Sequence, residues 1–369
     1  MCKMLKEILK ERDYLPVDLT ENGEKITKEG WREHRKTLIS LLEKYSYGKT
    51  PAPPKNVTGE IFFSDDSYAA YGAKVLNQKV KISFEVETGI HTFPLELFIP
   101  KNREKPPVFL LIAFKPVPDK YIPVEEITDN GYALAVLTYT DIVNDNDNGD
   151  FSDGIAKLFG TKHEREGDEW GKIGRWAYGA SRALDYLIKY RDDLDTSKVA
   201  VIGHSRLGKT ALWCAAQDER FAAAISNNSG YGGAASSKHG EGERVADFIR
   251  VGSWDWFCEN FKEFTGELED KKPYDQSFLL ALIAPRILIV GSAEDDHGAD
   301  PKSEFLTSLH ASRAWEILGE KGLICPDRMP VPGDLFMAGS VCYHIRSNHH
   351  FLSRHDWAAY MKILDEKFK

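Results

Sequence analysis

The sequence predicts an α/β fold, a three-layer arrangement in which helices cover both faces of one mainly parallel, twisted sheet with an antiparallel N-terminal edge. Five continuous apolar runs of strand length predict the parallel part, because strands covered on both faces read as unbroken apolar segments. Segments with helical periodicity separate several of these runs, as in a sheet covered by helices on both sides. An alternating pattern before the first run predicts a hairpin at one edge.

The first hundred residues carry the N-terminal extension and the predicted hairpin. Residues 1–56 are polar with helical patterns and end in a proline-rich turn. Residues 57–100 alternate between polar and apolar side chains. Within them, 79–84 predicts a half-buried strand and 95–99 its antiparallel partner.

The middle and the end of the chain supply the parallel strands and the covering helices. The predicted parallel strands are 108–113, 133–137, 199–203, 222–226 and 287–291. The apolar positions that predict one long helix are Trp170, Ile173, Trp176, Ala180, Leu184 and Leu187. The positions that predict a last helix near the C-terminus are Trp357, Tyr360, Met361 and Leu364.

Two long segments do not fit a simple alternation of strands and helices. Residues 140–167 are rich in Asp, Asn and Gly, which predicts a surface loop. Residues about 231–284 separate the fourth and fifth runs and predict a lid-like insertion, since long loops over a rigid sheet often carry substrate contacts. We therefore expect a single α/β domain over 1–369, with a helical extension at about 1–56.

Composition excludes several classes of function. Apolar residues make up 42% of the chain, which is enough for a well-buried core, and 48 basic against 57 acidic residues give a net charge of −9. A net negative field argues against binding to nucleic acid or to an anionic membrane. Five cysteines without a CxxC pair disfavour a disulfide scaffold and a zinc ribbon, so we expect reduced, mostly buried thiols.

The N-terminal residues contain no apolar core of secretory length, so they do not read as a signal peptide. Elsewhere, no stretch approaches the roughly 18 apolar residues of a membrane span. The expectation is a cytoplasmic protein for the chain as given, or a secreted one if a leader has been removed.

The segment 201–209 reads VIGHSRLGK and predicts a strand, a tight turn and a helix. A serine nucleophile needs this context, because the turn lifts its hydroxyl above the carboxyl edge of the sheet. Ser205 is the candidate, and Gly203 and Gly208 allow the strand and the helix to approach closely. The spacing is G-x-S-x-x-G rather than G-x-S-x-G, so a serine that merely caps the helix is the alternative interpretation.

Two cations beside the serine favour the catalytic interpretation. Arg206 follows Ser205 directly, and Lys209 lies one helical turn further on the same face. A solvated surface helix would also carry such residues. At a strand-to-helix elbow, however, they are suited to holding an oxyanion and a polar group of a substrate.

A serine hydroxyl needs a base, usually a histidine in a loop after the last strands. The candidates are His344, His349, His350 and His355. The turn-like segment 347–350 before the last helix is the best place for such a base. A metal held by the adjacent His349 and His350 is the rival interpretation. It is disfavoured because neighbouring side chains diverge and no further ligand cluster is evident, so no metal is expected.

A carboxylate should orient that histidine, and four acids follow the fifth predicted strand. Asp300 precedes Pro301 and is typical of a helix N-cap. One of Glu294, Asp295 and Asp296 then remains for the histidine. The resulting order of serine, acid and histidine along the chain is that of α/β-hydrolases.

With these residues in view, the sequence resembles the glucuronoyl esterases of carbohydrate esterase family 15, especially their bacterial branch. The resemblance covers nearly the whole chain and implies the α/β-hydrolase fold. It implies hydrolysis of the ester between 4-O-methyl-glucuronate on xylan and a lignin alcohol, without a cofactor. The stretches that carry it are GWREHRKTLISLLEKYSYGKTP at 30–51, GHSRLGKTALW at 203–213, DERFAAAISNNSGYGGAA at 218–235, GERV at 242–245, WFCENF at 256–261, LLALIAPR at 279–286, SAEDDHGADP at 292–301 and YHIRSNHHFLSRHDW at 343–357.

Residue by residue, the resemblance implies Ser205 as nucleophile, Arg206 as oxyanion stabiliser and His350 as base. It implies that Lys209 and Glu243 contact the uronate hydroxyls.

The resemblance also bears on the acid. Fungal members carry theirs in a Ser-Gln-Glu-Ser-Gly segment after the strand that follows the nucleophile. Here that segment, 226–230, reads SNNSG, and Asn228 cannot serve as a carboxylate. The bacterial position, after the next strand, falls on Asp296.

Three positions depart from the family pattern. A tryptophan common two residues after the acid is Gly298, a Gly-Gly before the histidine is Asn348-His349, and a cysteine is Tyr231. The ester-cleaving residues are present, but an altered sugar site is expected. The alternatives are an esterase for another carbohydrate ester, such as acetylated xylan, or a non-catalytic carbohydrate-binding relative. Whether the ester is a glucuronate or another carbohydrate ester, we expect a monomer that acts on a small-molecule or oligosaccharide substrate.

Overall fold

A computed structural model of the chain describes residues 3–20, 22–146, 149–159 and 165–369. Over these ranges the strands form one ten-stranded sheet in the order β1-β2-β3-β5-β4-β6-β7-β8-β10-β9. The strands are β1 Val57–Asp65, β2 Val75–Val86, β3 Gly89–Pro100, β4 Pro107–Ala113, β5 Ala133–Thr138, β6 Asp195–His204, β7 Ala223–Asn227, β8 Ile287–Ala293, β9 Leu335–Phe336 and β10 Val341–Arg346.

Helices and short turns connect the strands. The α-helices are α1 Lys3–Arg12, α2 Trp31–Leu42, α3 Val124–Asp129, α4 Lys172–Tyr190, α5 Arg206–Gln217, α6 Val245–Arg250, α7 Gln276–Ala281, α8 Pro301–Ala311, α9 Arg313–Leu318 and α10 Arg354–Lys367. A π-helical turn at Glu43–Tyr47 extends α2. The 3-10 turns are Tyr71–Ala73, Tyr139–Asp141, Gly154–Leu158, Ser253–Trp256, Glu259–Glu263 and Gly266–Lys271.

The sheet separates two apolar cores, as the predicted three-layer α/β class requires. On β4, Val108 and Leu110 face one core, while Phe109 and Leu111 face the other. The first core is completed by residues of α2, α4, α5, α7 and α8, and the second by residues of α3 and α10. Alternate side chains of one strand therefore pack under helices on opposite faces.

The seven predicted strands are confirmed, and β1, β9 and β10 were not predicted as separate strands. All five apolar runs are strands of the sheet, and neighbours among them pair in parallel. The hairpin β2–β3 is antiparallel, with Val80 opposite Leu95, and β1 extends it to the sheet edge. The sequence reading missed β10 as a sixth parallel strand, paired with β8. Its run, VCYHIR, is short and mixed in polarity, so it does not resemble the other buried strands.

The prediction of a surface loop over 140–167 is wrong for its apolar residues. Ile142, Val143 and Ile155 are fully buried in the first core. The indole of Trp176 donates to the carbonyl of Val143 over 2.9 Å, which ties the segment to α4. The loop is therefore a packed cover over the sheet, and only 147–148 and 160–164 lie outside the described residues.

The segment 231–284 contains α6, three 3-10 turns and α7. Its aromatic residues pack among themselves and against the extension; the rings of Phe257 and Phe261 are stacked with centroids 4.0 Å apart. Tyr47, at the end of the N-terminal extension, stacks on Trp213 of α5 at 4.5 Å and donates to the carbonyl of Gly232 over 2.8 Å. The insertion is thus an ordered layer over the carboxyl end of the sheet.

Candidate active site

Ser205 occupies the turn between β6 and α5, with φ 59° and ψ −131°. A non-glycine residue at positive φ is strained, and such strain is typical of a functional turn. Gly203 is required here, because a Cβ at that position would lie 2.0 Å from the carbonyl oxygen of Leu207. The Ser205 side chain accepts no hydrogen bond from the helix it precedes, at least from the described residues, so the helix-capping alternative is not supported.

The turns after β8 and β10 bring an acid and a histidine together. His350 Nδ1 lies 2.6 Å from Oδ2 of Asp296. Because β10 pairs in parallel with β8, their following turns leave the same edge of the sheet. Two backbone hydrogen bonds fasten these turns, Glu294 N to Arg346 O at 2.9 Å and Asp295 N to Asn348 O at 3.2 Å.

Asp296 is held in its ionised form. Burial by itself would raise the pKa of this carboxyl, but the hydrogen bond and charge of His350 and a hydrogen bond from Asn228 outweigh it and hold the pKa below its usual range. The amide of Asn228 donates to the same Oδ2 over 2.8 Å. A carboxylate in this state can fix the orientation of the imidazole and stabilise its positive charge.

The imidazole of His350 lies beside the elbow. Its ring centroid is 4.4 Å from that of His204, the residue directly before Ser205. Burial, followed by the nearby charge of His350, lowers the pKa of His204 to about 3, so His204 stays neutral and acts as packing. The side chain of His350 is 42% exposed, which leaves it open to substrate and water.

The other candidate histidines have different surroundings. His344 lies on β10 with Nε2 3.2 Å from Asp356 Oδ1, and both side chains are buried. His349 and His355 are exposed, the latter in the first turn of α10. Among the described candidates, His350 is the one whose imidazole contacts an acid from the turn after β8.

Arg206 lies on the other side of Ser205 and is held by a carboxylate that the sequence reading did not single out. Its Nη1 donates to Oδ2 of Asp145, and its guanidinium stacks over the ring of Trp256 at 4.4 Å. Asp145 belongs to the Asp- and Asn-rich segment; that composition was the one signal available, and it did not distinguish this aspartate from its neighbours.

Lys209 and Glu243 form an ion pair with Nζ and Oε2 3.2 Å apart. The Lys209 ammonium is buried and also donates to the carbonyls of Ser229 and Tyr231, each at 2.6 Å. All three of its donors are thus engaged. Burial lowers the pKa of Lys209. Glu243 is 40% exposed and keeps oxygen surface available for a ligand.

Glu304 is a second residue that sequence reasoning missed. It lies on α8, fully buried, and its Oε1 accepts the backbone N–H groups of Ser229 at 2.8 Å and Gly230 at 3.0 Å. Its Oε2 lies 2.5 Å from the hydroxyl of Ser292, at the end of β8. Glu304 therefore connects the turns that follow β7 and β8, and no local sequence pattern marks it.

A cavity of about 720 Å³ is lined by residues 50–57, by α4 and by the end of α5, and one of about 900 Å³ by the N-terminal extension with Pro273 and Phe278; neither includes Ser205 or His350. At Gly298, an added Cβ would meet only Asp296 Oδ1 among the described residues, at 3.9 Å, so there is space beside this glycine.

Two kinds of feature are absent from the described residues. No group of three or more His, Cys, Asp and Glu side chains there has an arrangement that would hold a metal ion. No described helix is both long and apolar enough to cross a bilayer.

Comparison with known proteins was made for sequence and for structure. A family model described as glucuronyl esterase of fungi matches residues 82–319. A carbohydrate esterase named MZ0003, from an unknown prokaryotic organism, is 35% identical over 93% of this chain and 87% of its own. A 4-O-methyl-glucuronoyl methylesterase from Phanerochaete carnosa is 29% identical over 78% of this chain and 68% of its own.

Among solved structures, a glucuronoyl esterase from Solibacter usitatus superimposes with a TM-score of 0.88 at 34% identity. The match covers 96% of this chain and 98% of that one. A promiscuous CE15 esterase from a marine bacterial metagenome gives a TM-score of 0.85 at 31% identity, over 95% and 96% of the two chains.

Proposed function

This chain belongs to the glucuronoyl esterase family, carbohydrate esterase family 15, and from that premise we propose that Ser205, His350 and Asp296 are the residues that perform its hydrolysis of glucuronate esters. As a member of this family it is a carboxylic ester hydrolase. The observation that carries the assignment is the 2.6 Å contact between His350 and Asp296, beside the strained turn of Ser205.

In the proposed reaction, His350 Nε2 takes the proton of the Ser205 hydroxyl as its oxygen attacks the ester carbonyl. Asp296 accepts from Nδ1–H and stabilises the imidazolium. The negative oxygen of the tetrahedral intermediate is stabilised by the guanidinium of Arg206 and by N–H groups at the start of α5.

The intermediate collapses as the alcohol leaves with the proton from His350, and an acyl-enzyme remains. Water then attacks the acyl carbon while the same imidazole takes its proton, and the serine is released with a glucuronate product. No step requires a redox partner or an outside acid.

For the sugar, we propose that Glu243 accepts hydrogen bonds from hydroxyls of the uronate. Lys209 supports Glu243 through their ion pair. The ammonium of Lys209 is itself held in place, because it also donates to the carbonyls of Ser229 and Tyr231. Since all three donors of Lys209 are engaged, it contacts a sugar hydroxyl only by exchanging one of these partners. The uncharged ester suits a protein of net charge −9, because no long-range repulsion opposes its approach.

A second esterase activity is suggested by the empty space at Gly298. Without an aromatic side chain there, other carbohydrate esters, such as acetylated xylan oligomers, meet less steric selection. Rates on benzyl glucuronate and on acetylated xylan oligomers, measured side by side, rank the two activities.

The central test replaces the nucleophile. Ser205→Ala should lower kcat on benzyl glucuronate by at least about 10⁴-fold, because the attacking hydroxyl is lost while the fold is kept. Ser347→Ala, which removes an exposed hydroxyl in the histidine turn, is the control and should retain the parent rate.

Covalent labelling gives an independent readout. A fluorophosphonate should modify the parent at residue 205 and leave Ser205→Ala unlabelled. Turnover by Ser205→Ala at the parent rate would refute the mechanism. A parent serine that stays inert toward the label and the ester would instead favour the carbohydrate-binding alternative.

A further inference from the structure

The carboxylate of Asp145 anchors the guanidinium of Arg206. Its Nη1 donates to Asp145 Oδ2, and its Cζ lies 4.4 Å from the ring centroid of Trp256 and 5.6 Å from that of Phe114. Nε of Arg206 is buried and has no acceptor within the part of the chain that the structure describes. The aromatic rings limit how far the guanidinium plane tilts, and the carboxylate of Asp145 restrains its rotation within that plane.

Asp145 is itself held by other donors. Its Oδ1 accepts the indole N–H of Trp256 over 2.7 Å, and its Oδ2 lies 3.2 Å from the hydroxyl of Tyr139. The same carboxylate therefore contacts both the arginine and the aromatic ring on which the arginine stacks. The side chains of Arg206, Asp145 and Trp256 therefore all contact one another, and each limits the movement of the other two.

The anchor joins two segments that lie outside the basic alternation of strands and helices. Asp145 comes from the loop after β5, and Trp256 comes from the insertion. A second contact fastens them nearby: Asp255 Oδ2 accepts the N–H of Gly149 at 3.1 Å and lies 2.8 Å from Nζ of Lys172. Both Asp255 and Lys172 are buried. The position of Asp145 thus depends on a junction with a buried ion pair.

We propose that Asp145 is a positioning residue for ester hydrolysis, which fixes the guanidinium of Arg206 for the oxyanion and couples that orientation to the insertion through Trp256. The inference rests on the proposed role of Arg206. Its chemical reason is that an oxyanion donor is effective when it is oriented before the charge develops. A guanidinium free to rotate must be ordered during the reaction, which raises the barrier.

Asp145 also has an electrostatic consequence for the product. Hydrolysis converts an uncharged ester into a carboxylate that lies beside Arg206. An arginine already paired with Asp145 attracts that carboxylate less than an unpaired one does. Loss of the Asp145 charge should therefore slow the reaction and at the same time strengthen inhibition by free glucuronate.

The experiment compares Asp145→Asn with the parent on benzyl glucuronate. We expect kcat to fall about 10- to 100-fold with KM changed less than about threefold, because a small displacement of a catalytic group is costly. The inhibition constant for glucuronate should fall several-fold. A merely structural defect would weaken product binding, so the direction of this change separates the two explanations.

A double-mutant cycle identifies the route of the effect. In an Arg206→Gln background, Asp145→Asn should cause no further loss of kcat, since the group that it positions is already absent. Asp141→Asn is the matched control: it alters an exposed aspartate four residues upstream, with no contact to Arg206 among the described residues, and it should keep kcat within about threefold.

Two results would overturn the inference: a parental kcat in folded Asp145→Asn, or an equal loss in both backgrounds. Neither depends on the identity of the nucleophile, which Ser205→Ala tests separately. If the parent hydrolyses the ester through Ser205 and Asp145→Asn behaves like the parent, the positioning role alone is wrong.

Discussion

Asn228 occupies the position at which fungal relatives are expected to carry their acid, and its backbone is in the left-handed region with φ 47°. Its amide donates to the Asp296 oxygen that also contacts His350. A carboxylate at 228 would lie against a second carboxylate, and one of the two would take up a proton. The amide avoids this repulsion and leaves Asp296 as the single ionised partner of the histidine.

Gly298 offers a direct test of the sugar site. Gly298→Trp should fold normally, because a Cβ meets only Asp296 Oδ1, at 3.9 Å, and the backbone is not among those with positive φ. We take the contact of an aromatic ring with the sugar to be of the size known for aromatic pairs, about 0.5–1.5 kcal/mol, so KM for benzyl glucuronate should fall about two- to tenfold with little change in kcat. Steady-state kinetics measure both.

Gly298→Ala is the matched control for that substitution, since it adds the Cβ without the ring and should leave KM unchanged. A folded Gly298→Trp enzyme with the parental KM would mean that the open space does not adjoin the bound sugar.

At the scale of elements, α8 organises the carboxyl edge of the sheet. Its N-cap is Asp300, which precedes Pro301 and whose side chain accepts from the N–H of Ser303 over 2.9 Å, as expected. One turn later, Glu304 binds the turn after β7 and the end of β8. A single helix thereby fixes the segment that carries Asn228 and the strand that leads to Asp296.

The buried carboxyl of Glu304 should leave a signature in the dependence of stability on pH. Burial raises its pKa from about 4.5 to about 8. Between these values the folded state keeps a proton that the unfolded state has released, so this group lowers stability by about 1.4 kcal/mol for each unit of rising pH. Glu304→Gln cannot ionise, and its free energy of unfolding should lack that slope.

Urea unfolding of the parent and of Glu304→Gln at pH 5, 6, 7 and 8 measures the difference in slope. Glu320→Gln, at an exposed position, should follow the parent curve. Parallel curves for the parent and Glu304→Gln would show that the carboxyl at 304 does not hold its proton in the folded state.

Local sequence patterns predicted the strands and the turn at Ser205 well, but they did not predict the side-chain contacts between distant segments. The five apolar runs and the elbow at Ser205 are encoded in adjacent residues, so the parallel strands and the turn were predicted. Asp296 and His350 needed the family resemblance, because several acids and histidines compete nearby. Asp145 and Glu304 were missed, since their roles arise only when distant segments meet in the fold.

At the scale of the whole molecule, the N-terminal extension is tied to the elements around the site. Lys238 Nζ donates to the carbonyl of Asp13 over 3.0 Å, and His310 Nε2 lies 2.9 Å from the carbonyl of Leu15. These contacts connect the extension to the insertion and to α8. Leu5 of α1 is part of the same apolar core as the strands. We therefore predict that the extension and the α/β sheet unfold together.

Leu5→Ala tests this cooperativity. Leu5 is 1% exposed, so the cavity left behind should cost about 2–5 kcal/mol of unfolding free energy, with a single transition by every probe. Met4→Ala, at a residue 43% exposed on the same helix, should cost almost nothing. A separate early transition in Leu5→Ala, with the sheet unaffected, would mean that α1 is an independent unit.

The parallel pairing of β10 with β8 has a consequence for the order of events during synthesis. A ribosome delivers the proposed nucleophile Ser205 first, then the proposed acid Asp296, and later the proposed base His350. A nascent chain that already displays Ser205 has no base beside it until β10 has emerged and added itself to the sheet. We therefore expect reactivity toward esters only after residue 350 has left the exit tunnel and β10 has paired with β8.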